Sequence, residues 1–366
     1  MRVNVVLPKF FDYPSGGYKV HFQYANELSR RGHQVTVVLP ITVEKRPSSL
    51  DLVKLAAKKT RMIVFRKSAL SWFVFDSRVR VVIIAALSAR LLPPADATIL
   101  TAWQTSANMG ERFPDNGELF QIVYDYEFWM SDAGARSRIE TSLKRPDVHL
   151  IATSTVVAKM LISIGRDPIA TITAGLQEGE FALDAPIEGR GNVVVFPYRT
   201  ELAKDMATAL AAVALIQSEE SGVSVECFGD DPVEPLPFGV VHHGHVSNAE
   251  LRALYNRACV FLLTSRYEGW GLPAAEAMAC GAAVISTKNG GIEDFLEDDE
   301  NGLLVEVGNW EAVAESVLRL LRDAATRIRL AERGVQVASR MTVQNSCDEL
   351  ERILKSIVED VPDHSL

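Results

Sequence analysis

The chain has little that belongs to an exported or metal-holding protein. Only four cysteines occur in its 366 residues, Cys227, Cys259, Cys280 and Cys347. They lie far apart in apolar stretches, with no CxxC pair and no Cys/His cluster. That reads as buried thiols in a reducing compartment and argues against a disulfide framework or a structural zinc site. Met1-Arg2 leads directly into the apolar Val3–Leu7, so no secretory leader is expected. The longest largely apolar run, Val81 to Ala89, falls far short of the ~20 residues of a membrane helix. The expected location is therefore the cytoplasm, with the inner face of the cell membrane as the variant of that reading. Positive charge is scarce overall: 38 Lys+Arg against 47 Asp+Glu give a net charge of −9. No general nucleic-acid binding is expected from that balance. Several catalytic signatures are missing too. No GxGxxG follows the first strand, and there is no GxxxxGK(S/T) loop and no GxSxG elbow. No Asp-x-Asp is placed to serve a metal-bound diphosphate, since Asp230-Asp231 belong to a turn into Pro232. No metal site is expected.

What is present is a soluble globular pattern, with 48% hydrophobic and 23% charged residues. Short β-rich runs alternate with helical periodicity, the signature of parallel sheets wrapped by helices. Val3–Leu7, a loop with Gly16-Gly17, a helix with Val20, Tyr24, Ala25 and Leu28 on one face, a stop at Gly32 and then Val35–Leu39 form one βαβ unit. Further strands are expected at Thr98–Thr101, Leu119–Tyr124 and Leu150–Thr153. Leu183 to Asn192, with Pro186, Gly189 and Gly191, reads as an interdomain linker. A second series follows, with strands at Val193–Phe196, Val223–Phe228, Val240–His242, Val260–Thr264 and Ala283–Ser286. Its helices are expected at Leu202–Gln217 and Ala249–Arg257, and the chain ends in amphipathic helices near Trp310–Arg322, Ala325–Met341 and Val343–Val358. The expected layout is an α/β protein of two Rossmann-like domains, 1–182 and 192–342, with parallel sheets facing a central cleft. Residues 343–366 are expected to pack back toward the first domain. Such sheets bind ligands at the carboxyl ends of their strands.

The densest motif is Ser265-Arg266-Tyr267-Glu268-Gly269-Trp270-Gly271-Leu272-Pro273-Ala274-Ala275-Glu276. A buried strand enters a glycine-bearing loop, and Pro273 suits the start of a helix. Free amides at that start attract a diphosphate. Glu276, expected in the first helical turn, can accept hydrogen bonds from vicinal hydroxyls such as those of a ribose, and Glu268 can do so for a second polyol. The bland alternative is a loop glutamate and a glutamate that favours the helix dipole.

Here the chain resembles the retaining glycosyltransferases of family 4, with the GT-B fold. Their Glu-x7-Glu is matched by Glu268 and Glu276, within GWGLPAAEAMACGAAVI. The resemblance is most specific over 264–291, good over 1–40 and looser elsewhere; it extends, more weakly, to rhamnosyltransferase-like members. It implies that Glu276 binds the donor ribose, that Glu268 contacts the donor sugar and that the backbone near Gly271 and Leu272 approaches phosphate and sugar. Arg199 and Lys204, five apart after a strand end, can neutralise a departing diphosphate. The family has an Arg and a Lys at this spacing, but the glycine that usually follows the Lys is Asp205 here. Arg199, Lys204 and Glu268 are the expected catalytic residues. GGYKVHFQYANELSRRGHQVTVV is similar to the family's opening, which implies contact of Gly16 and Gly17 with phosphate or sugar. His21, Asp125 and Glu127 are candidates for the acceptor or sugar, against a reading of helix packing, a capping Asp and an aromatic cluster. Gly290-Gly291 precede a helix expected near Ile292. His243 and His245 share a side of an extended strand, but no acidic or cysteine partner lies near them in sequence; by resemblance that loop lies against the nucleobase, with Val246 as the contact.

The resemblance implies transfer of a hexose or deoxyhexose, with retention, from a nucleotide-diphosphate sugar to a hydroxyl of a glycan, a lipid-linked glycan or a small molecule, in polysaccharide biosynthesis. No cofactor or metal is implied beyond the donor itself. The alternatives are a GT-B enzyme of sugar-phosphate condensation or epimerisation and a non-catalytic GT-B partner subunit. One segment stands apart in charge: Ile41–Leu92 carries eleven Lys/Arg and three Asp/Glu, a net of +8, so the remainder of the −9 chain carries −17. With Trp72, Phe73 and Phe75 it reads either as a peripheral membrane contact through residues 54–75 or as a solvated basic face around core aromatics.

Overall fold

The computed structural model describes residues 1–10, 16–43, 48–65, 70, 72–124 and 133–359. The chain forms two compact units, Met1–Gly175 with Val343–Leu366, and Leu176–Thr342. The stretch 183–192 lies inside the second unit, because Arg190 ties it down. Its guanidinium donates to the carbonyls of Ala258 (2.9 Å), Gly281 (3.0 Å) and Cys280 (2.9 Å), at the ends of two helices.

In the first unit, β1 (Arg2–Val6), β2 (Gln34–Thr42), β3 (Arg80–Ala86), β4 (Ala97–Leu100), β5 (Glu118–Val123), β6 (Val148–Ala152) and β7 (Ala170–Thr171) make one sheet in the order β3-β2-β1-β4-β5-β6-β7. The pairings are parallel. Helices cover both faces of such a sheet, so its strands read as continuous β-branched runs, such as Val35, Val37, Val38 and Leu39, all buried. The apolar run at Val81–Ala89 supplies β3. The helices are α1 (Gly16–Arg30), α2 (Ser49–Phe65), α3 (Trp103–Met109), α4 (Ala133–Leu143) and α5 (Thr155–Ser163). α1 ends at Gly32, whose φ of +91° lets the His33 amide donate to Leu28 O at 3.1 Å. The final helix of the chain, α11 (Val343–Glu359), belongs to this unit. It is held to α1 where Arg31 Nη1 donates to Glu351 Oε2 (2.9 Å) and His33 Nε2 lies 3.0 Å from Glu351 Oε1.

The second unit has β8 (Val193–Tyr198), β9 (Ser224–Gly229), β10 (Val241–His242), β11 (Val260–Leu263), β12 (Ala283–Thr287) and β13 (Leu303–Val305), parallel and in the order β10-β9-β8-β11-β12-β13. Its helices are α6 (Met206–Glu219), α7 (Asn248–Arg257), α8 (Leu272–Ala279), α9 (Trp310–Arg322) and α10 (Ala324–Ala338). α7 starts with a reciprocal cap: the Glu250 amide donates to Ser247 Oγ and the Ser247 amide to Glu250 Oε2 (2.8 Å). A single helix over Leu202–Gln217 does not form. A 3-10 turn, Leu202–Lys204, precedes α6, and Asp205 between them is left-handed, with φ 49°. The four cysteines are free and buried. No helix among the described residues is long and apolar enough to cross a membrane.

Candidate functional site

In the second unit the strand order reverses between β8 and β11, and open α/β sheets take ligands in the crevice at such a point. Two loops leave the sheet there. The loop after β8 carries Arg199 and Lys204; the loop after β11 carries Ser265 to Gly271. Several contacts join them. The Arg266 amide donates to Ala203 O at 2.7 Å. Thr264 Oγ1 donates to Lys204 O at 3.3 Å. Arg266 Nη2 lies 2.9 Å from the Asp205 carboxylate. Lys204 Nζ donates to Glu268 Oε1 at 2.9 Å. Ser265 Oγ donates to that same oxygen at 2.6 Å, which fixes the carboxylate from a second side. Asp205 stands where the resemblance leads one to expect glycine. The left-handed region admits Asp at modest strain, and its side chain is held by Thr208 Oγ1 (3.0 Å) as well as Arg266.

Arg199 is fixed from behind. Its Nη1 donates to Tyr198 O (2.9 Å), and its guanidinium lies 5.7 Å from the centroid of Phe228. Gly229, with φ +126°, gives the space: a Cβ there would come within 1.5 Å of Arg199 Nη1. On the other side, Gly271 (φ +100°) caps α8, so the helix starts at Leu272 and Pro273 is its second residue. Glu276 therefore lies in the second turn, not the first, and is 5% exposed. The buried Tyr255 phenol is pushed well above its ordinary range, first by burial and then by the Glu276 charge, with Arg199 opposing. Glu276 and Arg199 thus act on one buried hydroxyl from opposite electrical sides.

The loop after β12 closes the group. Asn289 O accepts from the Glu268 amide (3.1 Å), and Gly291 fits against that backbone, where a Cβ would come within 2.5 Å of Glu268 O and Trp270 N. The expected helix near Ile292 is a single 3-10 turn, Ile292–Asp294. Val246 is half-buried, just before the α7 cap at Ser247. The histidines beside it do have acidic neighbours, which come from β9 and the residue just after it: His243 Nε2 lies 2.6 Å from Glu226 Oε2, and His245 Nε2 lies 3.9 Å from Asp230 Oδ1. Asp230 also accepts from the Thr200 amide (3.1 Å), beside Arg199. Among the described residues no group of three or more His, Cys, Asp or Glu could hold a metal ion.

In the first unit, Gly16 and Gly17 are the first residues of α1 rather than part of the loop before it, and both are exposed. A Cβ on Gly17 would meet nothing within 4 Å, so packing does not demand glycine there. His21 is 2% exposed. Its Nδ1 lies 2.6 Å from Gly17 O, while Nε2 is buried without a hydrogen-bond partner among the described residues. Burial lowers its pKa to about 4, against the raising effect of Gly17 O, so the ring is neutral at pH 7. Tyr124 packs edge-on against it at 5.2 Å. Asp125 and Glu127 lie outside the described residues.

Arg199, Lys204, Glu268 and Glu276, singled out in the sequence by spacing and resemblance, lie on the segments that follow β8 and β11. Ser265, Asp205 with Arg266, Tyr255 and Gly229 were missed as their supports. The signal for two of these was present in the motif string, as the residues flanking Glu268; Gly229 and Tyr255 carry none.

The architecture is that of GT-B glycosyltransferases, two Rossmann-like parallel-sheet units. Sucrose-phosphate synthase from Thermosynechococcus elongatus superposes with a TM-score of 0.73 at 16% identity, over 99% of this chain and 100% of that one. HepE from Anabaena, solved in complex with UDP, gives 0.75 at 16% identity, over 97% and 100%. Within the sequence, residues 179–337 match the model of the family described as Glycosyl transferases group 1. A D-inositol 3-phosphate glycosyltransferase from Corynebacterium urealyticum is 34% identical over 108 residues, 30% of this chain and 26% of that protein. The lipopolysaccharide core biosynthesis glycosyltransferase LpsE of Rhizobium meliloti is 40% identical over 75 residues, 20% and 22%. The chain thus matches these curated relatives over about a quarter of their length.

Proposed function

We propose that the protein is a retaining glycosyltransferase that moves a hexose or deoxyhexose from a nucleotide-diphosphate sugar to a hydroxyl of a glycan, a lipid-linked glycan or a small molecule. The observation that carries this reading is the Lys204–Glu268 pair, 2.9 Å apart at the reversal point of the second sheet, with Arg199 on the neighbouring strand end. A cation for a diphosphate and a carboxylate for sugar hydroxyls stand side by side where such sheets take ligands. The match of residues 179–337 to the family described as Glycosyl transferases group 1 supports it. So do the names of the relatives and the UDP and UDP-glucose bound by HepE.

In this reading Arg199, Lys204 and the amides at Gly271 and Leu272 hold the diphosphate. Glu268 holds the sugar, Glu276 the ribose, and Val246 packs on the base. Gly16 and Gly17, whose first-turn amides have no partner within the helix, contact phosphate or sugar. His21, with its buried Nε2, is a candidate for the acceptor or sugar, and so are Asp125 and Glu127. The acceptor oxygen bonds to the anomeric carbon as the bond from that carbon to the phosphate oxygen breaks. The acceptor proton passes to the departing phosphate on the same face, and nucleoside diphosphate leaves. Cations at the leaving oxygens stabilise the charge that develops there. Neither metal nor cofactor enters these steps.

The test is product formation. A panel of sugar nucleotides is incubated with the enzyme and mixed acceptors, and release of nucleoside diphosphate and mass gain of acceptor are followed. Transfer from one donor, lost in Arg199→Ala and Glu268→Gln and unaffected by EDTA, supports the proposal, and the product's anomeric configuration tests retention. No release from any donor overturns it.

A further inference from the structure

The two cations of the second unit's site are held in different ways. Among the described residues the Arg199 guanidinium donates to backbone carbonyls, Tyr198 O at 2.9 Å and Phe228 O at 3.4 Å, and no carboxylate pairs with it. Its charge is open to an anion. Lys204 is already matched. Its Nζ donates to Glu268 Oε1 at 2.9 Å, and the two side chains are only 25% and 11% exposed. A pair shielded to that degree is screened less than a surface pair.

The carboxylate of this pair is held in a definite direction. The buried Ser265 donates from Oγ to the same Oε1 at 2.6 Å, and the Glu268 amide is tied to Asn289 O at 3.1 Å. Both side-chain bonds fall on Oε1, while Oε2 has no hydrogen-bond partner among the described residues. Glu268 therefore keeps Lys204 neutralised and still has one oxygen to offer.

Opposite charges that satisfy each other separate cheaply only if each finds a new partner. A free nucleoside diphosphate has oxygens for Lys204 but no donor for Glu268, whose carboxylate is then left beside further negative charge. Like charges so close repel. An intact sugar nucleotide serves both: phosphate oxygens go to Lys204 and sugar hydroxyls donate to Glu268. Its terminal phosphate is esterified as well, so it carries less negative charge than the free diphosphate.

We propose that the Lys204–Glu268 pair discriminates the intact donor from its own product. Glu268 competes with a bare nucleoside diphosphate for Lys204, and the pair closes again once the sugar has left, which favours release of the diphosphate. This rests on the reading given above, with Lys204 on the diphosphate and Glu268 on the sugar.

The experiment is calorimetry on the full chain without acceptor, using UDP, GDP, ADP and dTDP, each beside its glucose ester. Glu268→Gln should bind the nucleoside diphosphate roughly three- to tenfold more tightly than the parent, as expected for loss of one partly shielded competing charge. Its affinity for the sugar nucleotide should be unchanged or weaker. The ratio of the two dissociation constants is the readout, since a merely loosened loop would weaken both ligands together. In a Lys204→Met background Glu268→Gln should gain less for the diphosphate, because no cation is left to compete for. The substitution is nearly isosteric and keeps an acceptor for Ser265, so Tm should stay as in the parent. A diphosphate that the parent binds and Glu268→Gln binds no more tightly overturns this inference alone. An equal gain in the Lys204→Met background, or an equal gain for diphosphate and sugar nucleotide, overturns it as well. No binding of any nucleotide by parent or variant overturns it together with the reading on which it rests.

Discussion

Replacing Gly229 with alanine tests the geometry of the site without touching any residue that meets a ligand. An added Cβ would lie 1.5 Å from Arg199 Nη1, 2.8 Å from Arg199 Cζ and 2.3 Å from Tyr198 O. The guanidinium can swing away from the first two contacts. The third is with backbone and cannot be relieved by a rotamer change. The φ of +126° adds strain for any residue with a Cβ. Strained backbone of this kind costs about 1–3 kcal/mol, which for a unit of this size lowers Tm by roughly 2–12 °C. The effect on ligand binding is separate. If Arg199 leaves its place over Phe228, one charge-assisted contact to a diphosphate is lost, worth about 1.5–3 kcal/mol, or roughly 10- to 150-fold in Kd. Calorimetry with nucleoside diphosphates reads the second term and a melting curve the first. In an Arg199→Ala background the side-chain clash is gone, so Gly229→Ala should weaken binding no further while still lowering Tm, a non-additive cycle. Wild-type affinity in Gly229→Ala would refute the view that this glycine makes room for a phosphate-binding arginine.

Four further outcomes follow from the same structure. Asp205→Gly removes the contact to Arg266, but Arg266 is half exposed and such pairs contribute only ~0–1 kcal/mol; relief of the left-handed strain offsets it, so Tm should move little while the KM for the donor rises as the Lys204 turn loosens, and an unchanged KM would show that turn to be held without Asp205. Arg190→Met strips donors from the carbonyls of Ala258, Gly281 and Cys280 and should destabilise the second unit by about 2–4 kcal/mol; a loss under ~1 kcal/mol in denaturant melts would mean that water takes its place. Burial pushes the Glu351 carboxyl up, yet its bonds from Lys355, Arg31 and His33 win and hold it at about 2. A depressed carboxyl stabilises the fold above its unfolded pKa and loses that contribution as pH falls from ~4.3 toward 2, so Glu351→Gln should be less stable than the parent at pH 7 and flatter across that acid window. The His21 ring should show no titration by NMR between pH 7 and 5, since burial leaves it neutral until about 4; a midpoint near ~6.5 would place it in solvent.

Periodicity and β-branched runs made most elements legible. Val194 to Phe196 and Ala283 to Ser286 read as buried strands because they are buried on both faces. The motif from Ser265 to Glu276 identified its loop because glycines, a proline and two carboxylates stand at fixed offsets. What escaped depends on neighbours remote in the chain. Glu226 meets His243 only because β9 and β10 pair, and no spacing in sequence shows it. Residues 183–192 look like a free linker until Arg190 reaches the helix ends around Gly281. Leu202–Gln217 reads as one helix because a left-handed Asp205 leaves no trace in hydrophobic periodicity. α2 escaped for the opposite reason: Leu50, Leu52 and Val53 are exposed, so its first turns give no matching core face.

The nucleotide-sugar site proposed in the second unit is tested most directly by calorimetric titration of the full chain with a panel of sugar nucleotides and nucleoside diphosphates, beside Glu276→Gln. Glu276 is nearly buried and sits against Tyr255, so the isosteric change preserves packing while removing the charge offered to a ribose. One nucleotide should bind, raise Tm by mass action, and bind at least tenfold more weakly to Glu276→Gln with the fold intact. No binding by any nucleotide at millimolar concentration, or equal binding by the variant, would contradict it.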